Sequence, residues 1–418
     1  MARGRHSSAW HLFGCLAVVL ASHTPAASER LLVGHGGFPT LQAALAQARA
    51  GDTVHILPGV YREREIDIWV PLVIEASPGA TLDGEGAGEI LRVRASGTVI
   101  RGLTFRRSGV SFLRENAAIR IEGAHDCRIE RNRLEGCFFG IYLSKSARCV
   151  VQYNVILGTA EREATSGNGI HLWYCRDILV RGNHVVRHRD GIYFEFVRHS
   201  TVEHNVSEDN LRYGIHFMFS DSCSYRFNLF QRNSAGVAVM YSRFILMENN
   251  RFEHNWGEST FGLLLKDISQ SHVRRNVFLS NTTALYLEGS NHNLVDSNRF
   301  HANGWALRLM ASATGNTFIA NSFVANTVDA TTNSTLSFNT FRANYWDRYR
   351  GYDIDRDGYG DVPFHPVSAF GILTERFPAL LLFLRSFIAE LWELAEQVFP
   401  VLTPMAIVDP TPLLEPPA

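Results

Sequence analysis

Gly-Ile-His-Leu at 169–172, Gly-Ile-Tyr-Phe at 191–194, Gly-Ile-His-Phe at 214–217 and Gly-Val-Ala-Val at 236–239 are four copies of one phrase, their glycines 22, 23 and 22 residues apart. Each copy is followed by an asparagine in the same register: Asn183, Asn205, Asn228 and Asn250. A period near 22, with one short apolar strand after each Gly and an Asn at a fixed turn, predicts a solenoid. The asparagine register runs from Asn132 and Asn154 through Asn276, Asn298, Asn321 and Asn339. Longer gaps place loop insertions near 159–168 and 255–260. Asparagine suits such a turn because it tolerates left-handed backbone and its amide can bond to its copy in the next coil.

Strand side chains alternate between faces. The first and third residues after each Gly are apolar throughout: Ile141/Leu143, Ile170/Leu172, Ile192/Phe194, Ile215/Phe217, Val237/Val239, Leu263/Leu265 and Leu285/Leu287. They point inward, so the second and fourth residues point outward, in columns repeating about every 4.8 Å. The fold class is all-β: a right-handed parallel β-helix with coils of about 22 residues, its hand taken from the bias of parallel crossovers. A leucine-rich horseshoe would need a Leu-and-helix pattern that is absent from the sequence.

The flanks divide the chain. Residues 1–27 read as a signal peptide: Arg3 and Arg5 precede an apolar run from Leu12 to Ala21, and the small residues Ala26 and Ala27 follow. Residues 28–96 read as an N-terminal cap and first coils, with Thr40 capping a helix through Leu41 and Ala48 that stops by Gly51. The repeats occupy 97–344, an acidic loop 345–367, and an apolar tail with amphipathic helices 368–418. Within that tail, 379–399 is too apolar for a free surface helix. Arg385, Glu390, Glu393 and Glu396 make it too charged to span a bilayer. It is expected on a membrane surface or a hydrophobic partner.

Lys plus Arg is 40 and Asp plus Glu is 41, a balance that excludes nonspecific nucleic-acid binding. Beyond the signal stand Cys127, Cys137, Cys149, Cys175 and Cys223, an odd number. Cys127 and Cys149 fall on neighbouring coils, where stacked free thiols are expected and a disulfide is the geometric alternative.

Metal chemistry is read from the outward columns. The second position runs Tyr142, His171, Tyr193, His216, Ala238, Leu264, Tyr286; the fourth runs Ser144, Trp173, Glu195, Met218, Met240, Lys266, Glu288. An exposed solenoid face should be bland and polar. Instead His216 and Met218 share a strand, Met240 stands one coil beyond Met218, and His171 lies lower in the same column as His216. An imidazole with two thioethers favours Cu(I) over hard cations; apolar packing beneath a loop or partner is the alternative use of methionine. Met247 falls in an inward register. His184, His188, His199 and His204 fall on turns or edges and are expected to be solvated. Polysaccharide cleavage or epimerisation needs paired carboxylates. Glu195 and Glu288 are about 20 Å apart at one coil per 4.8 Å, leaving Asp190 with Glu195 as a conceivable pair. A noncatalytic role is therefore favoured over a secreted carbohydrate-active enzyme (a uronate polymer lyase or epimerase). Asp353, Asp355, Asp357, Gly358 and Asp361 match positions one, three, five, six and nine of a Ca²⁺ loop, although Phe364 stands where a bidentate Glu belongs.

Taken together, Tyr213-Gly214-Ile215-His216-Phe217-Met218, Val239-Met240-Tyr241-Ser242, Asn344-Tyr345-Trp346-Asp347, the 352–361 acidic loop, the coils and the apolar tail resemble the NosD family. These are periplasmic β-helix proteins of the CASH class that serve maturation of nitrous-oxide reductase. The resemblance covers essentially the whole mature chain. It implies a periplasmic protein, peripherally associated with the inner membrane, that helps assemble the copper–sulfur centre of the reductase. It implies Cu(I) at His216, Met218 and Met240, an ABC transporter permease receiving the C-terminal helices, and a lipoprotein copper chaperone and the reductase as partners. No phosphate-binding loop occurs, so the chain is not the transporter's ATPase.

Overall fold

The computed structural model describes residues 28–111, 113–377, 387, 391 and 406–417. The expected signal peptide and nearly all of the expected 379–399 helix lie outside the described residues. The alternation read from the sequence closes into three parallel sheets of 14, 12 and 13 strands, a solenoid of about 14 turns. A coil contributes one strand to each sheet, as Asp190–Glu195, Thr201–Glu203 and Val206–Glu208 do. Neighbouring coils pair in register: Ile192 with Ile215, Ile215 with Val237, Val237 with Leu263. These inward residues are fully buried. Phe252, Phe278, Phe300 and Phe323 continue the core as a ring-on-ring stack with 4.6–4.8 Å between centroids, closed by Trp346.

Asparagines hold the corners in three ladders. In the first, each Oδ1 accepts from both the backbone N–H and the Nδ2 of the Asn one coil earlier, from Asn154 to Asn344. A second ladder joins Asn293, Asn316 and Asn339, and a third runs from Asn210 to Asn326. Asn339 therefore does not end the first ladder; Asn344 does. Asn344 precedes Tyr345–Trp346 as Asn321 precedes Ser322–Val324, whereas Asn339 precedes Thr340–Arg342 as Asn316 precedes Thr317–Ile319. The buried carboxylate of Asp409, from the C-terminal segment, finishes the first ladder. Its Oδ2 accepts from the N–H and Nδ2 of Asn344 and from Nε1 of Trp346.

At the N-terminal end Thr40 caps the helix Leu41–Leu45, its Oγ1 accepting from the Ala43 amide. The helix is shorter than the Ala-rich run suggested. Glu63 accepts from the amides of Leu41 and Gln42 at its start, and turns replace it after Ala46. At the other end Ala369–Arg376 lies against Val328–Thr331. Among the described residues no helix is long and apolar enough to cross a membrane. The five cysteines among the described residues are free and buried, including Cys127 and Cys149, and Met247 is inside.

Asp83 is fully buried at an early coil. Burial pushes its carboxyl up, but hydrogen bonds from Arg107, the Glu85 amide and Arg106 more than offset that and hold it at about 2. A depressed carboxylate adds stability above its unfolded value, lost as pH falls through the folded one. About 2 kcal/mol should disappear between roughly pH 4 and pH 2. Urea midpoints across that window should fall more steeply for the native chain than for Asp83→Asn; parallel curves would remove Asp83 from the acid response.

Candidate metal-binding face

The strand Tyr213–Met218 turns His216 and Met218 to the same outward face of the 12-stranded sheet. Met218 pairs in register with Met240 on Ala235–Met240, which brings the two thioethers to neighbouring strands about 5 Å apart. The same column has Glu195 on one side of the pair and Lys266 on the other. Burial, followed by the charge of Glu115, pushes the Glu195 carboxyl up. Tyr193 Oη donates to Met218 Sδ at 3.6 Å. Burial, then the charges of Glu195 and Asp190, pushes that phenol up to about 12, so it remains a donor.

His216 is only 5 % exposed, its ring between Tyr193 and Tyr213 at 4.9 and 4.7 Å. Neither ring nitrogen has a hydrogen-bond partner. Nδ1 lies 3.8 Å from Asp190 Oδ2, and Asp190 in turn sits between Arg189 at 3.8 Å and Arg212 at 3.4 Å. Both Asp190 oxygens and Arg189 Nε also lack hydrogen bonds. Buried polar atoms left this way are rare, because each forfeits the water it had in the unfolded chain. An imidazole lone pair with no proton donor, beside two thioethers, fits a soft monovalent ion.

His171 does not join that group. Its ring stacks on Tyr142 at 4.4 Å and tilts against Tyr193 at 4.7 Å, so the Tyr193 ring separates it from His216. Its Nδ1 is 3.0 Å from the amide nitrogen of Asn168, on the inserted loop. Burial, then Arg189, Arg120 and His216, pushes it down to about 3. Burial takes His188 down to about 4, so His188 is a neutral, enclosed group and not the solvated turn residue expected. His184 pairs with Glu208 at 2.8 Å, and the exposed His204 stacks on Phe227. His171 and His216 are thus enclosed where the sequence predicted exposure, while Met218 and Met240 stay partly exposed. From Tyr142 to His216 the second-position rings stack on one another, and Asn168 of the inserted loop reaches His171.

The acids divide differently from expectation. Asp353, Asp355 and Asp361 bring carboxylate oxygens within 4.8 Å of one another; Asp357 is not among them. Asp357 accepts from the Tyr359 amide, Asp353 from the amides of Arg356, Asp357 and Gly358, and Asp361 from that of Ile354. These carboxylates brace the loop's own backbone. Asp190 and Glu195 stand at opposite ends of one strand, about 16 Å apart at 3.3 Å per residue, and form no acid pair. Glu288 faces Lys266 at 3.6 Å.

The sequence named Asp190 only as a possible partner of Glu195 and Tyr193 only as a column member, and it did not place Asp190, Tyr193 and Tyr213 around His216. Also missed was an exposed row of rings, Tyr174, Phe196, Phe219 and Tyr241, each directly after a fourth-position residue. The row's spacings of 22, 23 and 22 carried the signal.

The sequence model of a family described as "Periplasmic copper-binding protein (NosD)" matches residues 157–351. A Pseudomonas aeruginosa protein named "Probable ABC transporter binding protein NosD" is 32% identical over 369 residues, covering 83% of this chain and 85% of its own. A Stutzerimonas stutzeri protein of the same name is 29% identical over 382 residues, covering 86% of each. Among solved structures, the Dettilon tailspike protein matches with a TM-score of 0.54 at 12% identity, covering 71% of this chain and 66% of its own. The catalytic unit of an alpha-1,3-glucanase from Streptomyces thermodiastaticus matches with a TM-score of 0.53 at 13% identity, covering 79% and 68%. At such identities these two likenesses speak for the β-solenoid alone.

Proposed function

The chain belongs to the NosD family, and from that premise we propose that it is a noncatalytic periplasmic protein that receives and passes on Cu(I) for the copper–sulfur centre of nitrous-oxide reductase. The observation that carries this reading is His216, enclosed with both ring nitrogens unpartnered, on one face with Met218 and Met240. His216 Nε2 supplies the imidazole donor, and Asp190 beside Nδ1 orients the ring. The two thioethers supply soft donors that exchange readily, as a relay requires. The relatives' name supports association with an ABC transporter, and the family description supports the periplasm and copper. In this reading residues 1–27 direct export, and the 368–418 tail seats on the transporter's permease at the inner membrane. A lipoprotein chaperone donates the ion and the reductase receives it.

The test is a Cu(I) titration of the mature chain against a chromophoric chelator. Near-stoichiometric binding is expected, and Met218→Ala/Met240→Ala should weaken it by about 100-fold. Unchanged affinity in the double variant would sink the site. Deleting 368–418 should abolish co-purification with membranes carrying the transporter; the coils of Ile192 and Ile215 should stay folded, while loss of Asp409 loosens the last coils.

A further inference from the structure

Tyr174, Phe196, Phe219 and Tyr241 stack along the solenoid with centroids 4.6, 5.2 and 5.1 Å apart, yet each is 37–52 % exposed. All four have left-handed backbone, with φ between 50 and 54°. That conformation disfavours bulky side chains. The same turn in flanking coils carries Lys145, Asp267 and Gly289, so the fold does not require a ring there. Beside the row run Arg176 and Arg198, paired coil to coil through the bridge that begins at His125 and Ala147. Between the rings and the guanidiniums lies a groove of about 400 Å³, with Lys145 at one end. Its cations are largely uncompensated. Lys145 rests over the Trp173 ring, Arg176 meets Asp177 only at 3.9 Å, and Arg198 makes no ion pair among the described residues.

We infer that this groove seats an acidic segment of a partner protein that carries a large apolar side chain. Exposed rings and arginines are the side chains that anchor protein interfaces, and a basic wall selects an acidic partner. Four coils span about 15 Å, the length of four or five extended residues. Phe219 and Tyr241 directly follow Met218 and Met240, so the segment would dock at the edge of the proposed copper face. That adjacency rests on the copper reading; the docking does not, and the two fail separately when binding is measured without metal.

The probe is a fluorescein-labelled heptapeptide of glutamates around one phenylalanine, with its lysine counterpart, titrated by anisotropy into the metal-free mature chain. The acidic peptide should bind about tenfold tighter than the basic one and weaken with added salt. Arg198→Glu and Phe196→Gly should each cost about tenfold in affinity. Phe196→Gly also relieves the left-handed strain, so its melting temperature should hold and misfolding cannot explain the loss. Equal binding of the two peptides, or indifference to Arg198→Glu, overturns the proposal. So does a row that instead mediates Phe196-dependent self-association in sedimentation or binding to anionic vesicles.

Discussion

Asn228→Ala should lower the free energy of unfolding by about 3–5 kcal/mol, more than any surface substitution on the same coil. Asn228 Oδ1 accepts from the N–H and Nδ2 of Asn205 at 2.9 and 3.0 Å. Its Nδ2 donates to the carbonyls of Val202 and Arg226 and to Asn250 Oδ1. Alanine removes all five bonds and leaves buried partners in two neighbouring coils that no water reaches. Each orphaned buried group costs about 1–3 kcal/mol, so two already account for the figure. Urea unfolding should show the loss, and hydrogen exchange should show the Asn205 amide opening first. A change below about 1 kcal/mol would mean that the ladder contributes little net stability.

The second large effect is expected at Asp409. One carboxylate oxygen takes three donors, two from Asn344 and one from Trp346, and the other accepts from the Thr411 amide. Hydrogen bonds to a charged group contribute about 1.5–3 kcal/mol each, so Asp409→Ala should cost about 3–5 kcal/mol at this end of the stack. In a solenoid each coil leans only on its neighbours, so the damage should stay local. Amides of the last coils should exchange faster in Asp409→Ala, while the coils of Ile192 and Ile215 keep native protection. Asp409→Asn retains an acceptor and should be milder. Uniform loss of protection along the whole stack would contradict nearest-neighbour behaviour.

How much of this was legible in the sequence follows from which interactions are periodic. The inward residues were legible because strand alternation and coil period act together, and Ile192, Ile215 and Val237 are buried in one column. The asparagine register was legible until its end. There Asn339 and Asn344 stand five residues apart, as Asn316 and Asn321 do, because each pair brackets a three-residue strand and belongs to two different ladders. His216, Met218 and Met240 came from the outward columns, and their shared face is present. The enclosure of His216 was not legible, because it depends on Tyr213 packing against the ring from the position before the Gly. Asp190 was read only as a possible partner of Glu195, and its place beside His216 was not legible because it precedes the Gly, outside the positions that the alternation sorts.

The ladders also have a direction. Along the first ladder each asparagine donates its N–H and one Nδ2–H to the acceptor of the next coil, and its Oδ1 accepts from the coil before, so the two ends of this ladder are chemically opposite. The leading end asks for a donor, which the Leu103 amide meets with Asn132. The trailing end asks for an acceptor, and a further copy of the repeat would satisfy it as well as a carboxylate does. The stack is therefore a growth front that advances one way, like the face of a crystal, and Asp409 is the residue that terminates it. An acid folded back onto the front closes the first ladder at Asn344.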